Sequence, residues 1–235
     1  MSGIDWIDPD PDPDLDDLDG LDLPENVRRY LGALSRSSAE PSRVPEARLL
    51  APGERAMIED GPELAELCAG IAHDGFSLAC VADRRAVEVL SLWTVTEVIV
   101  TDEQTPWYEL DFGGDEDVLG ITDVPGGCVI AQPWGDEADS VLRSVTAGTF
   151  GYGMYANPKS GDQGRIAEDG EIVRGDLHPG HRSYGDVGGR EVLAAVASGG
   201  SAIAHCLLYA GLRPDSLDFL EYPDAWVRVA GGQGR

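Results

Sequence analysis

Apolar residues along this chain come in short runs, and shifts in their spacing mark the elements. From Pro62, PELAELCAGIA sets Leu64, Leu67, Cys68 and Ile71 at helical spacing, and GFSLACVAD then reads as a strand. Arg84 to Trp93 predicts a helix that buries Val87, Leu90 and Trp93 on one stripe. Four β-prone runs come next, EVIVT, WYELDF, VLGIT and GCVIAQPW, each bounded by Gly, Pro or Asp, as in a mainly antiparallel sheet. Asp136 then predicts a helix cap, with Asp139 in the first turn, Val141, Leu142 and Val145 toward the core and Gly148 at C′. TFGYGMYAN alternates as a strand. In RIAEDGEIVRGDL, Asp169-Gly170 sits between two apolar runs and predicts a two-residue type I′ hairpin.

Nearer the C-terminus, REVLAAVAS and AIAHCLLYAG flank Gly199-Gly200-Ser201, with Val192, Val196, Ile203, Leu207 and Ala210 almost in helical phase. The pattern fits two helices or one kinked helix. AWVRVA adds an edge-strand candidate. The fold class expected is α+β, a mainly antiparallel sheet with packed helices, preceded by an acidic disordered tail. Its divisions are an Asp/Pro-rich tail at 1–24, a short helix (Asn26 to Leu34) and a Ser/Pro linker within 25–61, and the α+β domain at 62–235.

Charge sharpens this picture. The first twenty-four residues hold nine Asp and no basic residue, and the whole chain carries −26 over 235 residues. Pro-broken, self-repelling sequence of this kind favours an extended tail. Trp6, Ile7, Leu15, Leu18, Leu21 and Leu23 make it more apolar than a spacer needs, so Trp6, Ile7, Asp12, Asp14, Leu15 and Leu18 are the candidate partner-binding residues. A solvated, solubilising tail is the plainer alternative. Such a field repels nucleic acid and anionic lipid and attracts basic surfaces. The scattered Arg residues form no basic stripe, and no window of about eighteen apolar residues spans a bilayer. Without a leader pattern at the N-terminus, a cytoplasmic protein is expected, neither nucleic-acid-binding nor membrane-bound. Cys68, Cys80, Cys128 and Cys206 lie in apolar runs at irregular spacing, as buried reduced thiols do.

The runs GGCVIAQPWG, VLRSVTAGT, FGYGMYAN and RIAEDGEIVRGDL, in that order, make residues 64–177 resemble an uncharacterised actinobacterial family of acidic cytosolic proteins, a domain of unknown function. The chain departs from that pattern in its Asp-rich N-terminus and in most of the segment beyond Gly180. The resemblance implies an α+β domain and brings no catalytic residues with it.

Candidate chemistry is sparse. Asp176, His178 and His181 form D-x-H-x-x-H, a donor set suited to Zn or Fe, but LHPGHRSYGD reads as a loop, so exposed loop histidines are the plainer reading. Ser201 and His205 lie four apart on one helix face; the G-x-S-x-G of a nucleophile elbow fails because Ile203 occupies the last glycine position. Ser201 is better read as a helix cap and His205 as packing beside Cys206. Gly151 and Gly153 lie within a strand pattern, the reverse of a dinucleotide fingerprint. Asp111, Asp115, Glu116, Asp117 and Asp123 could gather oxygen ligands for Ca²⁺, though without EF-hand spacing.

No cofactor or bound metal is expected from these residues. They point to a non-enzymatic interaction protein that binds a basic protein partner through its acidic tail and face, as an immunity or accessory factor. Two alternatives stand beside it: a small metal-dependent hydrolase built on Asp176, His178 and His181, and a nucleic-acid mimic whose spaced Asp residues imitate phosphates.

Overall fold

The computed structural model describes residues 52–69, 71, 75–99, 110, 116–133, 138–157, 159, 161–176, 179–180 and 189–230. In chain order the helices are α1 (Pro52–Leu67), α2 (Ala86–Leu90), α3 (Ala138–Val145), α4 (Gly189–Ala197) and α5 (Ala202–Ala210), with a 3₁₀ turn at Asp218–Leu220. The strands are β1 (Phe76–Ala82), β2 (Val95–Ile99), β3 (Glu116–Val124), β4 (Gly127–Pro133), β5 (Phe150–Asn157), β6 (Gly161–Glu168), β7 (Glu171–Asp176) and β8 (Ala225–Ala230).

All eight strands join one sheet in the order β2-β8-β3-β4-β1-β5-β6-β7, and every pairing is antiparallel. The fold is therefore α+β, as the sequence predicts. Both faces of the sheet are covered. On one, Ala79, Val81, Leu119, Ile121, Cys128, Ile130, Val227 and Val229 pack beneath α2 and α3 through Val89, Trp93, Val141, Leu142 and Val145. The other carries Leu78, Cys80, Val129, Ala131, Tyr152 and Met154, which share a side by register. There α5 crosses β5 and β1, α4 lies against α5, and α1 lies against both helices.

Local causes account for several elements. Asp169 (φ 49°) and Gly170 (φ 81°) both adopt the left-handed conformation that a two-residue I′ turn requires, and Glu168 pairs directly with Glu171. The turn is docked: Gly148 N–H donates to Asp169 Oδ1 (2.8 Å) and Gly170 N–H to Thr146 Oγ1 (3.2 Å), tying the hairpin to the end of α3. Val141, Leu142 and Val145 are buried as the α3 pattern predicts. At the glycine pair the chain makes two helices, because Gly199 (φ 61°) and Gly200 (φ 94°) leave the helical region and Ser201 starts α5 afresh.

Other expectations are corrected. The described body begins with α1 at Pro52, ten residues before the boundary placed at Pro62, and Pro62 lies inside that helix. Met57, Ile58 and Leu64 are buried, and this packing carries the helix through a residue that removes one backbone donor. Leu67, placed on the apolar stripe, is exposed. In the helix after β1 the buried residue is Val89, while Val87 is 62% exposed, since five residues of helix turn a different side to the sheet. AWVRVA is an interior strand between β2 and β3, with Trp226 buried, and not an edge. Of the acidic Ca²⁺ candidates, the two whose side chains are described do not gather. Asp117 and Asp123 stand six residues apart along extended β3, roughly 20 Å. Asp111 and Asp115, the WYELDF run beyond Leu110, Asp136, the tail at 1–24 and the predicted Asn26–Leu34 helix lie outside the described residues.

Replacing Gly170 with Val forces a β-branched residue into the left-handed region and is expected to cost about 1–2 kcal/mol. Urea unfolding of Gly170→Val against Gly170→Asn, which tolerates that conformation, measures it; equal losses would contradict the assignment.

Candidate functional site: a buried tyrosine, aspartate and histidine

The strongest concentration of polar chemistry among the described residues lies within the α5 side of the sheet. Tyr152 points from β5 toward α5, and its hydroxyl donates to Asp176 Oδ2 at 2.8 Å from the far end of β7. To get there the side chain crosses β6 at Gly164, directly opposite Asp176 in register. A Cβ at Gly164 would collide with the Tyr152 hydroxyl, so the missing side chain is what lets the two meet.

His205 completes the group from α5. Its ring stands edge-on to Tyr152 with centroids 4.9 Å apart, and its Nε2 lies 4.0 Å from Asp176 Oδ2, beyond hydrogen-bond range. The residue is 1% exposed, and neither ring nitrogen has a hydrogen-bond partner of good geometry. Burial therefore pulls its pKa down to about 4, while Asp176 and the nearby Ala194 backbone work the other way. At neutral pH the imidazole is uncharged. Desolvation pushes the Tyr152 hydroxyl far upward, reinforced by Cys206 and by Asp176, so it stays protonated and keeps the hydrogen that it donates to Asp176.

Beside this group, Glu191 in the first turn of α4 pairs with Arg174 of β7 at 3.2 Å. Its carboxyl is raised by burial, which Arg174 partly offsets. Arg190 donates from Nε to the Tyr209 carbonyl (2.7 Å) and lies over the Phe150 ring, 4.6 Å from its centroid. The cysteines offer no ready nucleophile: burial pushes Cys68 up to about 11 and Cys128 to about 12, and Cys80 and Cys206 well above the ordinary thiol value.

The structure thus brings together Asp176 and His205, which the sequence placed in separate candidate sites. Ser201 is apart from them in role: its hydroxyl caps α5 by accepting the Ala204 N–H at 3.2 Å, as read from the sequence. His178 and His181 lie outside the described residues, as do Trp6, Ile7, Asp12, Asp14, Leu15 and Leu18. Among the described residues no three His, Cys, Asp or Glu side chains are grouped as a metal would need. Sequence reasoning missed Tyr152, Glu191 and Arg174. The alternation of TFGYGMYAN marked a strand, but nothing local links Tyr152 to a carboxylate twenty-four positions away.

Chemically, the arrangement is a closed tie between β5, β7 and α5, with a neutral histidine inside it. It has a hydrogen-bonded carboxylate and no solvent-facing base. The chain matches no protein-family model, no curated protein sequence and no solved structure.

The histidine sets an acid limit on stability. Its folded pKa of about 4 lies below the ordinary 6.5, so its share of stability is complete above pH 6.5 and is lost as pH falls toward 4. By pH 5 that loss is about 2 kcal/mol. Urea unfolding at pH 7 and pH 5 is expected to show it in the native chain and not in His205→Leu; parallel pH dependence in both would contradict it.

Proposed function

We propose that this chain is a non-enzymatic, cytoplasmic binding protein for a basic protein partner, acting as an immunity or accessory factor. The observation that carries the reading is charge: −26 overall, −9 of it in the first twenty-four residues. The described body adds an acidic rim. Along 215–224 the chain exposes Asp215, Asp218, Glu221 and Asp224 with no basic residue among them, and Tyr222 stands 47% exposed between the last two. Asp123 joins this rim, since its N–H donates to Asp224 Oδ2 at 3.0 Å. Its own carboxylate is engaged by Arg85 and by the Ala86 N–H at the start of α2. A field of one sign accelerates encounter with a cationic surface, and an exposed aromatic supplies an anchor that charge alone lacks.

The hydrolase alternative gains little support. Asp176 would have to leave Tyr152 to serve as a ligand, and it stands within the sealed group rather than at a solvent-facing wall. The nucleic-acid mimic shares the charge with the favoured reading and differs only in its partner, a nucleic-acid-binding protein. The proposed kinship of residues 64–177 with an uncharacterised family assigns no activity to any of the three.

Capture from a native-host lysate, with kinetics then measured on the captured protein, tests the proposal. The full chain is expected to retain a basic protein that salt releases. Removing residues 1–24 is expected to slow association at least about tenfold at low salt and to flatten its salt dependence, with the melting temperature unchanged. Trp6→Ala is expected to weaken binding at constant charge. A truncated chain with the native rate and salt slope would reduce the tail to a solubility device, and capture of acidic or neutral partners alone would overturn the reading.

A further inference from the structure

We propose that His205 latches the β7 edge of the sheet, so that proton uptake by its imidazole releases β7 from α5 while the rest of the fold stays closed. A protonated ring fits the closed arrangement poorly: the residue is 1% exposed, its nitrogens make no hydrogen bond of good geometry even with the Ala194 backbone nearby, and the nearest carboxylate oxygen, 4.0 Å away, already accepts the Tyr152 hydroxyl. Something has to move to admit water or to bring an acceptor closer. The helix is held, since all nine residues of α5 are buried. β7 is the weaker side, because it is hydrogen-bonded only to β6 among the described strands. Its register also slips by one residue at Val173, which is exposed. Its links on this side include Asp176 to Tyr152 of β5, Arg174 to Glu191 of α4, and the packing of His205 of α5 against that first carboxylate.

The titratable groups that face the ring are Asp176 from β7, Tyr152 from β5 and Tyr209 from α5 itself, and behind them Glu191 of α4, paired with Arg174, and Cys206 act on Asp176 or Tyr152. Asp176 favours the charged ring, and burial outweighs it. Glu191, raised by burial, works in the opposite sense, because its protonation at lower pH removes a buried charge. An opened edge returns His205 to its ordinary pKa of 6.5 from about 4, so the opening equilibrium rises as pH falls, by about 80-fold between pH 6.5 and pH 4.

Hydrogen exchange of the full chain between pH 6.5 and 4.5, corrected for the intrinsic pH dependence of amide exchange, tests this. The β6–β7 amides are expected to open about 15-fold more at pH 5 than at pH 6.5, and at every pH to open far more often than the β3–β4 amides. His205→Leu and His205→Gln are each expected to remove the rise in β7 opening toward low pH, leaving only the opposite response of Glu191. Equal opening of β7 and of β3–β4 at every pH would overturn the proposal, since the edge would then open only with the whole fold. A rise in β7 opening toward low pH that persists in either histidine variant would overturn it too. If the leucine variant does not fold, the glutamine variant and the comparison of strands within the native chain decide.

Discussion

A sheet covered on both faces is the constraint on which the rest of this structure depends. Antiparallel sheets often leave one face to water and alternate polar with apolar residues; here the central strands face helices on either side. Leu78 through Ala82 of β1 are buried without interruption, and Cys128 through Gln132 of β4 likewise. Two separate helical layers must therefore be held to one sheet. On one face the short α2 and α3 do this through aliphatic packing and a hydrogen bond from Trp93 Nε1 to Ser144 Oγ (3.0 Å). On the other, α5 covers β1 and β5 with α4 against it, and polar groups enter the contact where the sheet runs out toward β7.

Polar groups at that margin have to be satisfied where they stand. Asp176 lies at the end of an edge strand yet is buried, and the Tyr152 hydroxyl satisfies one of its oxygens. The geometry needs a residue without a side chain at Gly164, a tyrosine facing inward on β5 and a carboxylate at the last position of β7. His205 stands beside them unsatisfied and neutral, which makes this margin the part of the core most sensitive to acid.

The features legible in the sequence had local causes. Asp169-Gly170 specifies its turn through two residues, and α3 is set by three buried positions at helical spacing. The features misread depend on distant contacts. Pro62 carries the signal of a helix start, and only the packing of Met57 and Ile58 reveals that the helix began a residue after Ala51. AWVRVA reads as a strand, but strand order is a non-local property, and its place between β2 and β3 is written nowhere in the run itself. The polar group was half visible. Asp176 and His205 each stood out as residue types, in different motifs, while the partner that joins them was hidden in an aromatic strand.

The tyrosine, aspartate and histidine thus act as a structural tie. A double-mutant cycle of Tyr152→Phe and Asp176→Asn, read out by urea unfolding at neutral pH, bears on that claim most directly. A charge-assisted buried bond predicts that each single change destabilises and that the pair couples by about 1.5–3 kcal/mol. Additive losses, with coupling within about 0.5 kcal/mol of zero, would mean that the hydroxyl and the carboxylate do not hold each other and would contradict the tie.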